Sequence, residues 1–243
     1  MAYDFKDKTA LVTGSSRGIG RGIAERLARD GARVVVNYLH NEQAARDTVS
    51  AITVAGGNAI AIRADVSRPT EIARLYDETE KVFGPIDIVV ANAGTAVIKP
   101  MGEFTEEDFD AVFATNTKGV FFLMQQAVKR LKDNGRIIII TTGGVKMLIP
   151  GNALYLGSKG ALDQFVRTTA QEVGKRNITV NAVLPGYTQT DLLPERDRKV
   201  AAGSSPFNRV GEPEDIADVV AFLASPEARW ITGQEIGAGG GVF

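Results

Sequence analysis

Short runs of β-branched and aliphatic residues recur along this chain, and a helix-length amphipathic stretch follows almost every one. The runs are "TALVTG", "RVVVNY", "NAIAIRADV", "IDIVVANAG", "RIIIITT" and "ITVNAVLPG", with "GQEIGAGGG" as a short last candidate. They are continuously apolar rather than alternating, so both faces of the sheet they build must be covered. Regular strand–helix alternation implies right-handed crossovers and a parallel sheet with helices on both sides. The pattern predicts helices closed by Gly31 and by Gly56 and Gly57, and another near 70–83. A long helix over 105–132 opens at Thr105, with Asp108 as its capping-box partner. Further helices cover 153–176 and the segment with Pro213 in its first turn. The length, 243 residues, suits one large α/β domain or two small ones. No linker or repeat breaks the alternation, so it reads as one domain over 1–243. The least regular region, 186–212, reads as a substrate loop or lid.

Composition removes several chemistries. A net charge of −1 gives no global electrostatic case for nucleic acid or an anionic membrane. The absence of cysteine excludes disulfides, thiolate catalysis and cysteine-ligated metals, and the single histidine, His40, excludes a multi-histidine metal site. No metal is expected. The start lacks the features of a signal peptide, and the strongest apolar run, "IIII" at 137–140, is far too short to span a bilayer. A cytoplasmic protein is the expectation.

Two local patterns carry chemistry. Gly14, Gly18 and Gly20 lie where the first strand hands over to the first helix. Glycine allows positive φ and close approach of backbone to a ligand, and a helix N-terminus offers unpaired N–H groups to a pyrophosphate. The spacing G-x-x-x-G-x-G differs from the standard G-x-G-x-x-G, and a packing turn is the plain alternative. The second pattern is "LYLGSKG", with Tyr155 and Lys159 four apart and so on one helix face. A free phenol titrates near pH ~10. An adjacent ammonium favours phenolate and is expected to lower that value. Alone, such a pair is common in helices.

The company these patterns keep is specific. "TGSSRGIG", "ADV" at 64–66, "NAG" at 92–94, Asn116 in "TNTKG", "YLGSK" and "PGYTQT" occur in the order and spacing of the short-chain dehydrogenases/reductases. The chain resembles that family over essentially its whole length, and most closely the branch of 3-oxoacyl-carrier-protein reductases and related carbonyl reductases. The resemblance implies a single Rossmann-type doubly wound α/β domain of about seven parallel strands. It implies reduction of a small-molecule ketone to a secondary alcohol with NADP(H). Tyr155 would give the proton, Lys159 would bond the nicotinamide ribose, and Asn116 would hold a water of the proton relay. The family's serine falls at Thr142, with Thr141 the lesser candidate. The cofactor would lie on Gly14, Ser16, Arg17, Gly18, Ile19, Gly20, Asn37, Tyr38, Asp65, Val66, Asn92, Ala93, Gly94, Pro185, Gly186, Thr188 and Thr190, besides Tyr155 and Lys159. Substrate candidates are Gly144, Leu148, Ile149, Tyr187 and Leu192.

The cofactor choice follows from the end of strand two. An NAD site usually has Asp or Glu there for the ribose 2′-hydroxyl, but this chain reads "VVVNYLHN". Arg17 suits phosphate oxygens, and the family resemblance implies that Ser16, Arg17 and Asn37 hold a 2′-phosphate, with Tyr38 nearby. His40 reads as a solvated loop residue. Other readings stay open: an NAD-linked alcohol or sugar dehydrogenase, a carrier-protein reductase, and a catalytically silent nucleotide-sensing regulator. A carrier-protein site needs basic residues; Arg176 fits that pattern and Asp133 departs from it. The regulator reading predicts loss of Tyr155 or Lys159, and both are present. The helices over 105–132 and 152–176 resemble those that build family homotetramers.

Overall fold

A computed structural model describes residues 3–243. In chain order the elements are β1 (Thr9–Val12), α1 (Gly18–Arg29), β2 (Arg33–Tyr38), α2 (Glu42–Val54), β3 (Asn58–Arg63), α3 (Pro69–Phe83) and β4 (Ile88–Ala91). Then come α4 (Glu106–Phe113), α5 (Val120–Arg130), β5 (Arg136–Ile140), α6 (Ala153–Val173), β6 (Thr179–Pro185), α7 (Glu195–Gly203), α8 (Pro213–Ala224) and β7 (Glu235–Ala238). The seven strands form one parallel sheet in the order β3-β2-β1-β4-β5-β6-β7.

The apolar strands sort their side chains with period two. Leu11, Val35, Val89 and Ile137 face one layer with α3, α5 and α6. Ala10, Val12, Val34 and Ile138 face the other with α1, α2 and α8. Every residue of β1, β4, β5 and β6 is buried, whereas β3 and β7 are partly exposed edges. Burying each Val, Ile or Leu side chain contributes roughly 1.5–3 kcal/mol, so the central strands hold the sheet together.

Local signals set the helix ends. The Thr105–Asp108 capping box is formed in both directions. Pro69 and Pro213 stand in the first turns of α3 and α8, where no N–H partner is lost. Helix α8 braces α1: Arg26, paired with Asp30 at 2.9 Å, also pairs with Asp218.

Two expectations change. The helix over 105–132 is not continuous, because a π-helical turn at Ala114–Gly119 separates α4 from α5. Such turns interrupt the regular ladder and commonly mark functional positions. The irregular segment 186–212 contains α7, which Pro194 precedes and Glu195 and Asp197 open. Acids in the first turn favour the helix dipole, a signal that the surrounding polar residues masked.

Candidate active site

In a doubly wound sheet, ligands bind outside the strand C-termini where the strand order reverses. That point lies between β1 and β4. An open cleft of about 600 Å³ occurs there. Its floor is the glycine loop, with Gly14, Ser16, Arg17, Gly18, Ile19 and Gly20. Tyr38, Asp65, Val66, Asn92, Ala93 and Gly94 line it further along, and Tyr155 and Lys159 form the opposite wall.

The loop fits a dinucleotide. Gly14 and Gly18 have φ of +59° and +54°, a region that side chains disfavour. A Cβ on Gly14 would lie 2.8 Å from Ala93 Cα, and one on Gly20 would strike the Asn92 amide and the Gly14 carbonyl. Asn92 Nδ2 donates to the carbonyls of Thr13 and Gly14 at 2.9 and 3.0 Å, which ties the end of β4 to the loop. The N-terminus of α1 is thus left open toward the cleft.

Asn37 lines the cleft, as expected of a cofactor-site residue, but its side-chain amide is taken up by backbone. It is 2% exposed. Its Oδ1 accepts from Gly14 N at 3.1 Å, and its Nδ2 donates to the Ala64 and Ile62 carbonyls at 3.1 and 3.3 Å. The amide is committed to backbone, so it shapes the loop. Arg17 is exposed and pairs with Asp191 at 2.9 Å, joining the glycine loop to segment 186–212 across the cleft mouth. Thr190 packs behind it, 3.3 Å from where a Gly18 Cβ would stand. Thr190 caps no helix; α7 is preceded by Pro194. Asp65 is held in a tight turn by Ser67, whose N and Oγ donate to it at 2.9 and 2.7 Å. His40 lines the outer cleft beside Tyr38. Pro185, Gly186 and Thr188 stand at the end of β6, where Thr188 Oγ1 donates to the Gly186 carbonyl at 3.1 Å.

The two threonines after β5 diverge. Thr141 Oγ1 donates to the Val183 carbonyl at 3.2 Å and is buried. Thr142 Oγ1 accepts from Gly144 N at 3.1 Å and lies close enough to the Tyr155 phenol to favour its ionised form. Lys159 lies one helical turn beyond Tyr155 on α6, is 3% exposed, and donates to the Ile140 carbonyl at 2.9 Å.

The π turn brings Asn116 into this cluster. Its Oδ1 accepts from Thr95 N at 2.9 Å, while Nδ2 donates to the Thr95 carbonyl at 2.8 Å and to Ser158 Oγ at 2.9 Å. Ser158 Oγ in turn donates to the Tyr155 carbonyl at 2.7 Å. Asn116 Oδ1 and Lys159 Nζ each lie 3.3 Å from the position of a Gly94 Cβ, so both face the same gap. Oδ1 retains a lone pair there. Thr95, Ser158 and Asp191 were not singled out from the sequence, because serines, threonines and aspartates of this kind are too common to stand out without the fold.

The charge balance differs from the sequence expectation. Burial pushes the Tyr155 phenol above its ordinary value, and Thr142 only partly offsets this. Burial also pushes Lys159 down to about 8. Burial is the largest influence on both groups, and it opposes the lowering of the phenol expected from the spacing.

The substrate candidates divide. Ile149 approaches Gly144 beside Thr142, Leu148 is fully exposed, and Leu192 lines the cleft. Tyr187 instead faces a separate cavity of about 180 Å³ with Phe207 and Val242. Arg176 is engaged by Asp133 at 2.8 Å and by the carbonyls of Val128 and Leu131. Among the described residues no helix is long and apolar enough to cross a membrane, and no cluster of three His, Cys, Asp or Glu could hold a metal.

Comparison with known proteins agrees with this architecture. Residues 14–243 match a family described as enoyl-(acyl carrier protein) reductase. A hydroxynaphthalene reductase-like protein Arp2 of Metarhizium brunneum is 45% identical over 252 residues, covering 96% of this chain and 94% of its own. The angucycline C-6 ketoreductase LanV, solved with bound NADP, is 40% identical with a TM-score of 0.94, covering 100% of this chain and 98% of its own. The promiscuous reductase LugOII, which catalyses keto-reduction at C1 during lugdunomycin biosynthesis, is 41% identical with a TM-score of 0.92, each chain being 98% covered. The glycine loop, the Tyr155–Lys159 helix and this whole-chain similarity make the protein an oxidoreductase of the short-chain dehydrogenase/reductase family.

Proposed function

We propose that this chain uses NADPH to reduce a ketone on a flat, largely apolar, fused-ring substrate to a secondary alcohol. The observation that carries the reading is that Tyr155 and Lys159 line one cleft with the glycine loop of Gly14, Gly18 and Gly20. A nicotinamide nucleotide held on the loop of Gly14, Gly18 and Gly20 would supply the hydride for the carbonyl carbon. Tyr155 gives its proton to the carbonyl oxygen, and Thr142 holds that oxygen by a second hydrogen bond. A phenol raised by burial stays protonated at neutral pH, which suits a proton donor. Lys159 is largely ammonium at neutral pH and stabilises the phenolate left behind. Asn116 fixes the Thr95 loop against α6 and offers Oδ1 to a relay water. Ser16 and Arg17 bind the 2′-phosphate, since no carboxylate at the end of β2 would repel it.

The substrate class rests on the exposed apolar side chains Ile98, Met101, Leu148 and Leu192, the last lining the cleft, and on the angucycline C-6 and the C1 keto-reductions named for LanV and LugOII. Segment 186–212 closes over the substrate. The carrier-protein reading is disfavoured because Asp133 neutralises Arg176. A panel of fused-ring ketones, simple ketones and β-ketoacyl thioesters, each followed by loss of reduced-nicotinamide absorbance, tests this. Turnover highest on the thioesters would overturn the substrate assignment. A homotetramer built through α4, α5 and α6 accounts for the exposure of Phe109 and Phe121, and light scattering of the purified protein checks it.

A further inference from the structure

We infer that Phe243 is a positioning residue that fixes Thr142 through Gly143. This rests on the role given to Thr142 above. Gly143 follows Thr142 directly and opens the tight turn Gly143–Lys146. A Cβ at Gly143 would overlap Phe243 Cε1, so the ring packs directly on the Gly143 backbone. The same ring covers Gly239, which has no room for a Cβ either, and lies 3.3 Å from where a Gly237 Cβ would stand. Three glycines from two segments thus make a flat backbone seat for one aromatic side chain.

The chain is bent to deliver that ring. Gly240 and Gly241 have φ of +61° and +78°, and Val242 N donates to the Gly239 carbonyl at 3.4 Å. The residues after β7 therefore turn back toward the end of β5. A second tether joins the same two segments: Lys146, at the far end of the turn, pairs with Glu235 of β7 at 2.7 Å. The turn is held at both ends from the β7 side. The peptide groups between Thr142 and Gly144 decide where Thr142 Oγ1 points, because Gly144 N donates to that oxygen at 3.1 Å. Removing the ring leaves those peptides free to rotate, glycine having no side chain to resist. Thr142 then loses its fixed place at the Tyr155 phenol. Misplacement of a carbonyl-holding group by about 1 Å costs up to ~100-fold in rate.

The test compares Phe243→Ala, Phe243→Leu, Gly143→Ala and the double variant Gly143→Ala/Phe243→Ala with wild type and Thr142→Ala. The readouts are kcat and KM for the ketone, NADPH binding by fluorescence titration, and the thermal midpoint. The expected result is a kcat in Phe243→Ala lowered roughly tenfold, with NADPH affinity unchanged and most of the rate restored in Phe243→Leu. Gly143→Ala, which pushes against the ring from the other side, is expected to lose kcat similarly, and the double variant to recover part of it. Wild-type kcat in Gly143→Ala, or in a folded Phe243→Ala, overturns the inference when Thr142→Ala is impaired. Should Phe243→Ala fail to fold, Gly143→Ala decides alone. If Thr142→Ala itself turns over at the wild-type rate, the reading of Thr142 fails first.

Discussion

Lys159 Nζ lies 2.9 Å from the Ile140 carbonyl oxygen, so the ammonium of α6 is moored to the last residue of β5. The mooring holds α6 at a fixed height above the sheet. It also keeps a buried cation in the cleft that Tyr155 lines.

Burial of that cation makes stability depend on pH in a definite direction. Lys159 is pushed down to about 8 from its usual 10.5, so between these values the unfolded chain binds the extra proton and the folded one does not. Stability of the wild type therefore rises with pH across that window, relative to a variant lacking the amine. The thermal midpoint of Lys159→Met minus that of wild type is expected to fall as pH goes from about 8 to about 10. Thermal melts of the cofactor-free proteins check the sign; a difference that grows would contradict it.

Thr142 is separated from Thr141 by its surroundings: Thr141 donates to the Val183 carbonyl, whereas Thr142 accepts from Gly144 N and acts on the Tyr155 phenol. Thr142→Ala is expected to lower kcat by roughly tenfold to a hundredfold, whereas Thr142→Ser retains it. Loss of the Thr142 hydroxyl also leaves the phenol still higher than in wild type. Steady-state kinetics and ultraviolet titration of tyrosinate measure both effects.

The Arg17–Asp191 pair is exposed on both sides, so it is worth only about 0–1 kcal/mol. Asp191→Asn is expected to tighten NADPH by no more than about fivefold, with the gain disappearing at high salt. Arg17→Ala is expected to weaken NADPH by roughly tenfold or more and to leave NADH almost unchanged. Calorimetric titration with both nucleotides reads the difference.

Gly20 has no room for a side chain, with Ser15 Cα 2.9 Å from its would-be Cβ. Gly20→Ala forces the loop away from Asn92. The expected cost is about 1–3 kcal/mol of stability and most of the NADPH affinity. Denaturant unfolding and fluorescence titration measure these losses.

The sheet was readable from the sequence because its strands are apolar on both faces, and only parallel strands covered by helices meet that condition. The glycine loop and the Tyr155–Lys159 pair were readable because their spacing is local: one spans a turn, the other a helical turn. What escaped depends on contacts distant in sequence. The π turn around Asn116 carries no composition signal and is held by Thr95 and Ser158, 21 and 42 residues away. Asn37 looked available for a phosphate until the Gly14, Ile62 and Ala64 backbones were seen to use its amide. The direction of the Tyr155 shift was missed because spacing gives proximity to an ammonium but says nothing of how deeply both groups are buried.

On the proposed reading the Tyr155 phenol delivers the proton that accompanies hydride transfer. Single-turnover oxidation of bound NADPH by a ketone substrate, in wild type and in Tyr155→Phe, tests it most directly. The expected result is a rate at least about a hundredfold lower in the variant, with NADPH affinity and thermal midpoint preserved. Hydride transfer at the wild-type rate without the hydroxyl would contradict it.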